Sequence, residues 1–183
     1  MPEFCGFFFI VIAGTVFHFL YDWSGHKKIF AYLCAVNEST WEHMKMVFGP
    51  AFLWMLGELP FLWNHPNFFV AKLLSVLLPG ITIPLFFYTY KYILGYHTLT
   101  LDISNFIFSV ALGQSCSRLV LQTAPLPFPV VALSLLFLVV VLAAYLRFTL
   151  HPPRTFLFLD PISGLTGLAA HMEIDRIRKI TPK

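Results

Sequence analysis

Nine side chains in this sequence have the types and placement on which chemistry could be built: His18, Asp22, Asn37, Glu38, Glu42, His43, Lys45, His97 and Asp102. Imidazoles interleaved with carboxylates can relay protons or hold a small polar ligand. Within this set His18, Asp22, Glu42 and His43 are the candidate ligands for a divalent metal such as zinc, iron or manganese. A hydrogen-bonded cluster without metal is the competing reading. No local spacing such as H-E-x-x-H occurs, and the adjacent Glu42 and His43 point about 100° apart on a helix. On the metal reading, Glu42→Gln and His43→Ala should abolish a bound ion and leave folding largely intact.

Part of the densest stretch, Asn37 to Lys45, has a structural reading beside the chemical one. Ser39-x-x-Glu42 fits a capping box at a helix start, and Trp41 and Lys45 suit interfacial anchoring. His18 and Asp22, four apart, share a helix face with Gly14. Elsewhere Glu58 and Arg118 fall at matching depths on two outward-running helices, about 20 Å and about 24 Å from their starts. A structural ion pair between them is expected, with Gln114 as a further partner.

The elements that must position these groups are membrane-spanning helices. Of the 183 residues, 58% are hydrophobic and 11% charged, with a mean hydropathy of +0.76. Soluble domains carry roughly 25% charge, and a core of this size cannot hide the apolar excess. The sequence predicts an all-α polytopic bundle of about five spans: Phe4–Tyr21, Lys45–Trp63, Phe68–Tyr90, Leu101–Leu121 and Phe128–Leu150. The bundle occupies residues 1–150, and residues 151–183 form a cytoplasmic interfacial tail. Pro79, Gly80 and Pro84 should kink the third span or split it into half-helices. In the fourth, Asp102, Asn105, Ser109, Gly113 and Cys116 form a small or polar stripe that fits a wet cavity or a packed interface.

Lys27, Lys28, Lys45, Lys91, Arg147, Arg154, Arg176, Arg178, Lys179 and Lys183 fall on one side of this alternation. The positive-inside rule then places the N-terminus outside and the C-terminus in the cytoplasm. Lys72 and Arg118 lie outside the pattern. Pro2 and Glu3 stand where a cleavable leader has basic residues, so the first apolar run is read as a span. After His151-Pro152-Pro153 stops the last span, Gly164 and Gly167 should keep the chain loose before an amphipathic segment over 168–180 rests on headgroups. The cysteines, Cys5, Cys34 and Cys116, show no metal-ligand spacing and imply no disulfide framework.

The stretch His18-x-x-Tyr21-x-Trp23-Ser24, then Val36-Asn37-Glu38-Ser39-x-Trp41-Glu42-His43-x-Lys45, resembles a family of small multi-spanning bacterial membrane proteins of unknown function. Pro152-Pro153…Phe158-x-Asp160-Pro161-x-x-Gly164 is similar to that family's closing motif. It departs from it at Leu165-Thr166, where the pattern has an aromatic residue. The resemblance implies a bacterial plasma membrane location and carries over no activity.

Three functions fit. One is a binding or transport protein with a cytoplasm-facing pocket for a cation, a proton or a small polar ligand. The second is a membrane-embedded enzyme acting on a lipid headgroup, although no nucleophile motif or phosphate loop occurs. The third is a non-catalytic scaffold subunit. The expected partners are the lipid bilayer and either further copies of the chain or another membrane subunit. A net charge of +3 follows from topology and gives no support to nucleic-acid binding.

Overall fold

A computed structural model describes residues 2–180, except for the side chains of 150 and 178–180. Lys183 and the side chains of Arg178 and Lys179 therefore lie outside the described residues. Among the described residues, seven helices follow one another: α1 (Pro2–Trp23), α2 (Lys28–Leu33), α3 (Thr40–Leu62), α4 (Phe68–Leu94), α5 (Leu99–Leu121), α6 (Phe128–Leu150) and α7 (Gly167–Ile180). Strands are absent among the described residues apart from one isolated bridge between Leu159 and Thr166. Among the described residues, three helices are long and apolar enough to cross a membrane: Pro2–Trp23, Phe68–Leu94 and Phe128–Thr149. The helices α3 and α5 match them in length, at 23 residues each, but carry more polar side chains.

The third predicted span is not split. α4 runs through Pro79, Gly80 and Pro84 as one 27-residue helix. A proline inside a helix frees the carbonyl four residues before it, and here a neighbouring glycine covers that carbonyl. A Cβ on Gly113 of α5 would lie 3.1 Å from Ser75 O and 2.9 Å from Pro79. The same device recurs between α1 and α3, where a Cβ on Gly14 would lie 2.4 Å from Met46 O, the carbonyl that Pro50 leaves without its intrahelical donor. Small residues thus bring the backbones together at two of the points where an interior proline opens the ladder. Gly14→Ala is therefore expected to force α1 and α3 apart. It should cost at least the 1–3 kcal/mol typical of overpacking, read as a lowered thermal midpoint in detergent.

The polar stripe of α5 is a packed interface against α4. Asn105 Nδ2 donates to Ile83 O at 2.9 Å, and Ser109 Oγ donates to Asn105 Oδ1 at 3.2 Å, both buried. α6 buries one narrow stripe, Ser134, Leu138, Tyr145 and Thr149, and exposes most of its other apolar residues. At one end of the bundle, fully buried Asn67 joins two short loops. Its Nδ2 donates to the carbonyls of Val120 and Ala124, and its Oδ1 accepts from Leu126 N at 2.8 Å. At the other end, α2 and the segment after α6 close over the bundle.

Candidate functional site

The Asn37–Lys45 stretch folds as a staple between α3 and the tail. Ser39 caps α3 by accepting from Glu42 N at 3.4 Å. The reciprocal half of the expected capping box is not made. Ser39 N donates to Asn37 Oδ1 at 2.8 Å, while the Glu42 carboxylate accepts from Val36 N at 3.0 Å and lies 3.0 Å from Lys45 Nζ. Lys45 Nζ also donates to Ala31 O at 2.9 Å. Lys45 is 0% exposed and Glu42 2%, so Lys45 is no interfacial anchor. Trp41 is likewise buried, its indole stacked on Phe158 at 4.8 Å and its backbone N–H donating to Leu157 O at 2.9 Å.

The two halves of the sequence motif prove to be each other's partners. Asp160 Oδ2 accepts from Glu38 N at 2.9 Å, while its Oδ1 accepts from Ile162 N and Ser163 N at 3.0 and 2.7 Å. Asn37 Nδ2 donates to Gly167 O at 3.0 Å. The tail is therefore bonded down rather than loose. Gly164 and Gly167 supply φ values of +68° and +58° that tight turns require, and a Cβ on Gly167 would lie 3.0 Å from Pro152.

Under this closure lies a small cavity of about 40 Å³, lined by His18, Asp22, Ala35, Val36, Asn37, Glu38, His171 and Ile174. That volume suits one or two waters or a single ion. Four sequence candidates line it, namely His18, Asp22, Asn37 and Glu38. His43 stands beside them, its ring 5.6 Å from that of His18, its Nδ1–H donating to Ser39 O at 3.0 Å and its Nε2 3.6 Å from Glu38. His97 and Asp102 do not join the lining. They pair with each other at 3.0 Å in an exposed position, where Tyr90 OH also donates to Asp102.

The proposed quartet His18, Asp22, Glu42 and His43 does not converge on one point among the described residues. Glu42 is consumed by Lys45 and Val36 N–H, and Asp22 meets other partners. Asp22 Oδ1 lies 3.4 Å from His26 Nε2 and 3.7 Å from His171 Nε2. Asp175 Oδ2 lies 3.5 Å from His171 Nε2 and 3.9 Å from His26 Nδ1. Sequence reasoning missed His26, His171 and Asp175. The available signal was the repeated four-residue spacing, Asp22 to His26 and His171 to Asp175, which puts each pair on one side of its segment.

The three cysteines are free. Burial in the loop before α3 pushes the Cys34 thiol up to about 11, which leaves it unreactive at neutral pH.

The second polar centre lies where α1 begins. The expected Glu58–Arg118 pair is replaced there. Lys72 Nζ sits 2.6 Å from Glu58 Oε2 and donates to Glu3 Oε1 at 3.0 Å. Among the described residues Arg118 has no ionic partner and borders a crevice with Glu3, Phe4, Phe7 and Gln114. Helical rise gives position along each helix, but the direction each side chain faces depends on helix packing, and here α4 supplies the cation.

A model of a family of unknown function, DUF6512, matches residues 3–168. That range holds the staple, Asp160 and the cavity residues of α1, and ends before His171. No curated protein and no solved structure matches the chain.

Proposed function

From the premise that the chain belongs to the DUF6512 family, a family of unknown function, we propose that it is a five-span membrane protein that binds a small cation in the cavity under its tail. The observation that carries this reading is a pair of unsatisfied imidazoles. His18 Nδ1 and His171 Nε2 both belong to the cavity lining and are buried without a hydrogen-bond partner. An unpaired buried polar atom costs roughly 1–3 kcal/mol. Two unpartnered ring nitrogens beside Asp22 and Glu38 suit a positively charged guest.

The five-span reading is supported by length and by the loops. At 1.5 Å per residue, α3 and α5 each extend about 34 Å, enough for a hydrocarbon core of about 30 Å. Their polar residues Glu58, Asn105, Ser109, Gln114 and Ser117 are buried inside the bundle, as membrane packing requires. If both helices cross, the loops at 63–67 and 122–127 must share a side, and Asn67 bonds one to the other. Neither loop carries Lys or Arg. Lys72, one of the two apparent exceptions to the charge rule, is neutralised in a buried ion cluster. The N-terminus is therefore placed outside, and the cavity and tail face the cytoplasm of a bacterial cell.

Cysteine labelling on intact cells tests the orientation. An impermeant maleimide should modify Asn64→Cys from outside, and should reach Lys27→Cys and Arg154→Cys only after permeabilisation. All three positions are exposed. The reverse pattern would overturn the topology. Equilibrium dialysis of the purified full chain against Mg²⁺, Ca²⁺, Mn²⁺ and Zn²⁺ tests the cavity. At least one ion should bind saturably, about tenfold or more weaker in Asp22→Asn, and unchanged in His65→Ala at the opposite end. Absence of saturable binding by all four ions would end the cation reading.

A further inference from the structure

The carboxylates and imidazoles where α1 meets α7 are spaced for one particular class of cation. We propose that Asp22, His26 and His171 hold a single divalent transition-metal ion of the zinc type, with Asp175 beside His171 as a second nearby carboxylate. This rests on the cavity reading above, since Asp22 and His171 are walls of that cavity.

The first support is distance. One ligand atom from each of Asp22, His26 and His171 lies within 4.8 Å of the others. The contacts of 3.4, 3.7 and 3.5 Å from Asp22 to His26, Asp22 to His171 and His171 to Asp175 exceed the hydrogen-bond range of roughly 2.7–3.2 Å. They lie at or slightly above the edge of a tetrahedron whose arms are about 2.0–2.1 Å, which is about 3.4 Å. The groups thus face one another at the separation of ligands around an ion.

The second support is the unpartnered nitrogen of His171. The residue is 8% exposed, and its Nε2 has no hydrogen-bond partner. Its Nδ1–H donates to Val36 O at 3.0 Å. That bond places a proton on Nδ1 and turns Nε2 toward Asp22 and Asp175, as a backbone carbonyl orients many metal-bound histidines. The ring is also steadied by Tyr21, edge-on at 4.9 Å.

Charge and chemistry agree with this. Two carboxylates offset a dication, and among the described residues neither has a Lys or Arg partner. Imidazole nitrogens exclude a site built for Mg²⁺ or Ca²⁺, which prefer all-oxygen shells, and select zinc, iron, cobalt or manganese. His26 enters from a turn in which Gly25 and His26 both have positive φ, +69° and +63°, turning the imidazole back toward Asp22. An ion here would join the loop after α1 to α7 and so pin the tail to the bundle.

The test uses the purified full chain in detergent, stripped with chelator and titrated with Zn²⁺, then with Co²⁺ as a spectroscopic reporter. The expected result is one ion per chain, with Co²⁺ giving the intense visible bands of a four-coordinate nitrogen–oxygen site. His26→Asn tolerates positive φ, and His26 is exposed, with 44% of its side chain open to solvent. This variant should keep the metal-free thermal midpoint while weakening Zn²⁺ binding about tenfold or more. His171→Gln should lose the Co²⁺ bands, and Glu173→Gln on the same helix should bind as the wild type does. Saturable Mg²⁺ or Ca²⁺ binding without Zn²⁺ binding would sink the transition-metal site and leave the cavity reading standing. So would Zn²⁺ binding untouched by His26→Asn and His171→Gln. A chain that binds none of these ions would carry only a histidine–carboxylate clamp, and both readings would fail together.

Discussion

Lys72→Met is expected to destabilise the protein by about 3–5 kcal/mol, the cost of leaving buried charge without its partner. Lys72 is 1% exposed and is the only cation within contact of both Glu3 and Glu58 among the described residues. The three residues come from three helices, α1, α3 and α4, so the loss is felt across the whole end of the bundle. Methionine matches the aliphatic stem of lysine, which confines the change to the charge. The triple substitution Lys72→Met, Glu3→Gln and Glu58→Gln removes both orphaned carboxylates and should recover most of the loss, because a neutral replacement of a buried ion cluster is often tolerated. Chemical or thermal unfolding in detergent, compared among the three proteins, measures this. A single variant as stable as the wild type would show that the two carboxylates do not depend on Lys72.

The second large effect is expected at the opposite end. Lys45→Met should cost a similar amount, about 3–5 kcal/mol, since it leaves Glu42 with the Val36 N–H alone in a position 2% exposed. Pairing it with Glu42→Met should restore much of the stability. Glu42→Gln is likewise expected to destabilise, because Lys45 then keeps only the Ala31 carbonyl. This reverses the expectation drawn from sequence, where Glu42 served as a metal ligand whose loss would spare the fold. Measured on the same proteins, Zn²⁺ binding per folded chain should not change in Glu42→Gln. A stable Glu42→Gln that had lost the metal would restore the older assignment.

Periodicity and polarity made the helices legible because both are local properties. The ends of α3, α5 and α6 fall within a few residues of the turns marked by Asn64-His65-Pro66-Asn67 and by Pro125 and Pro127. The importance of the Asn37–Lys45 stretch was also legible, since so many polar groups rarely crowd a membrane boundary. Its role was not. A capping box, a metal site and an anchor can share one spelling, and choosing among them depends on what lies opposite. Here that is the tail. Asp160, Leu157 and Phe158 return from more than a hundred residues away to occupy Glu38 N, Trp41 N and the indole face.

The sequence by itself determined that this chain is a bundle of apolar helices, where the long ones begin and end to within about five residues, though not the short α2, and which polar residues are expensive enough to need partners. Those conclusions follow from composition, hydrophobic run length and the rise per residue, none of which depends on distant contacts. The tertiary structure alone decided who the partners are. Rise along a helix gives depth, but the direction a side chain faces is set by how the helices pack, so Glu58 met Lys72 rather than Arg118. Asp22 likewise met His26 and His171 rather than Glu42, because α7 folds back under α1. Only that return brings two imidazoles and a carboxylate within 4.8 Å of one another, with Asp175 beside His171.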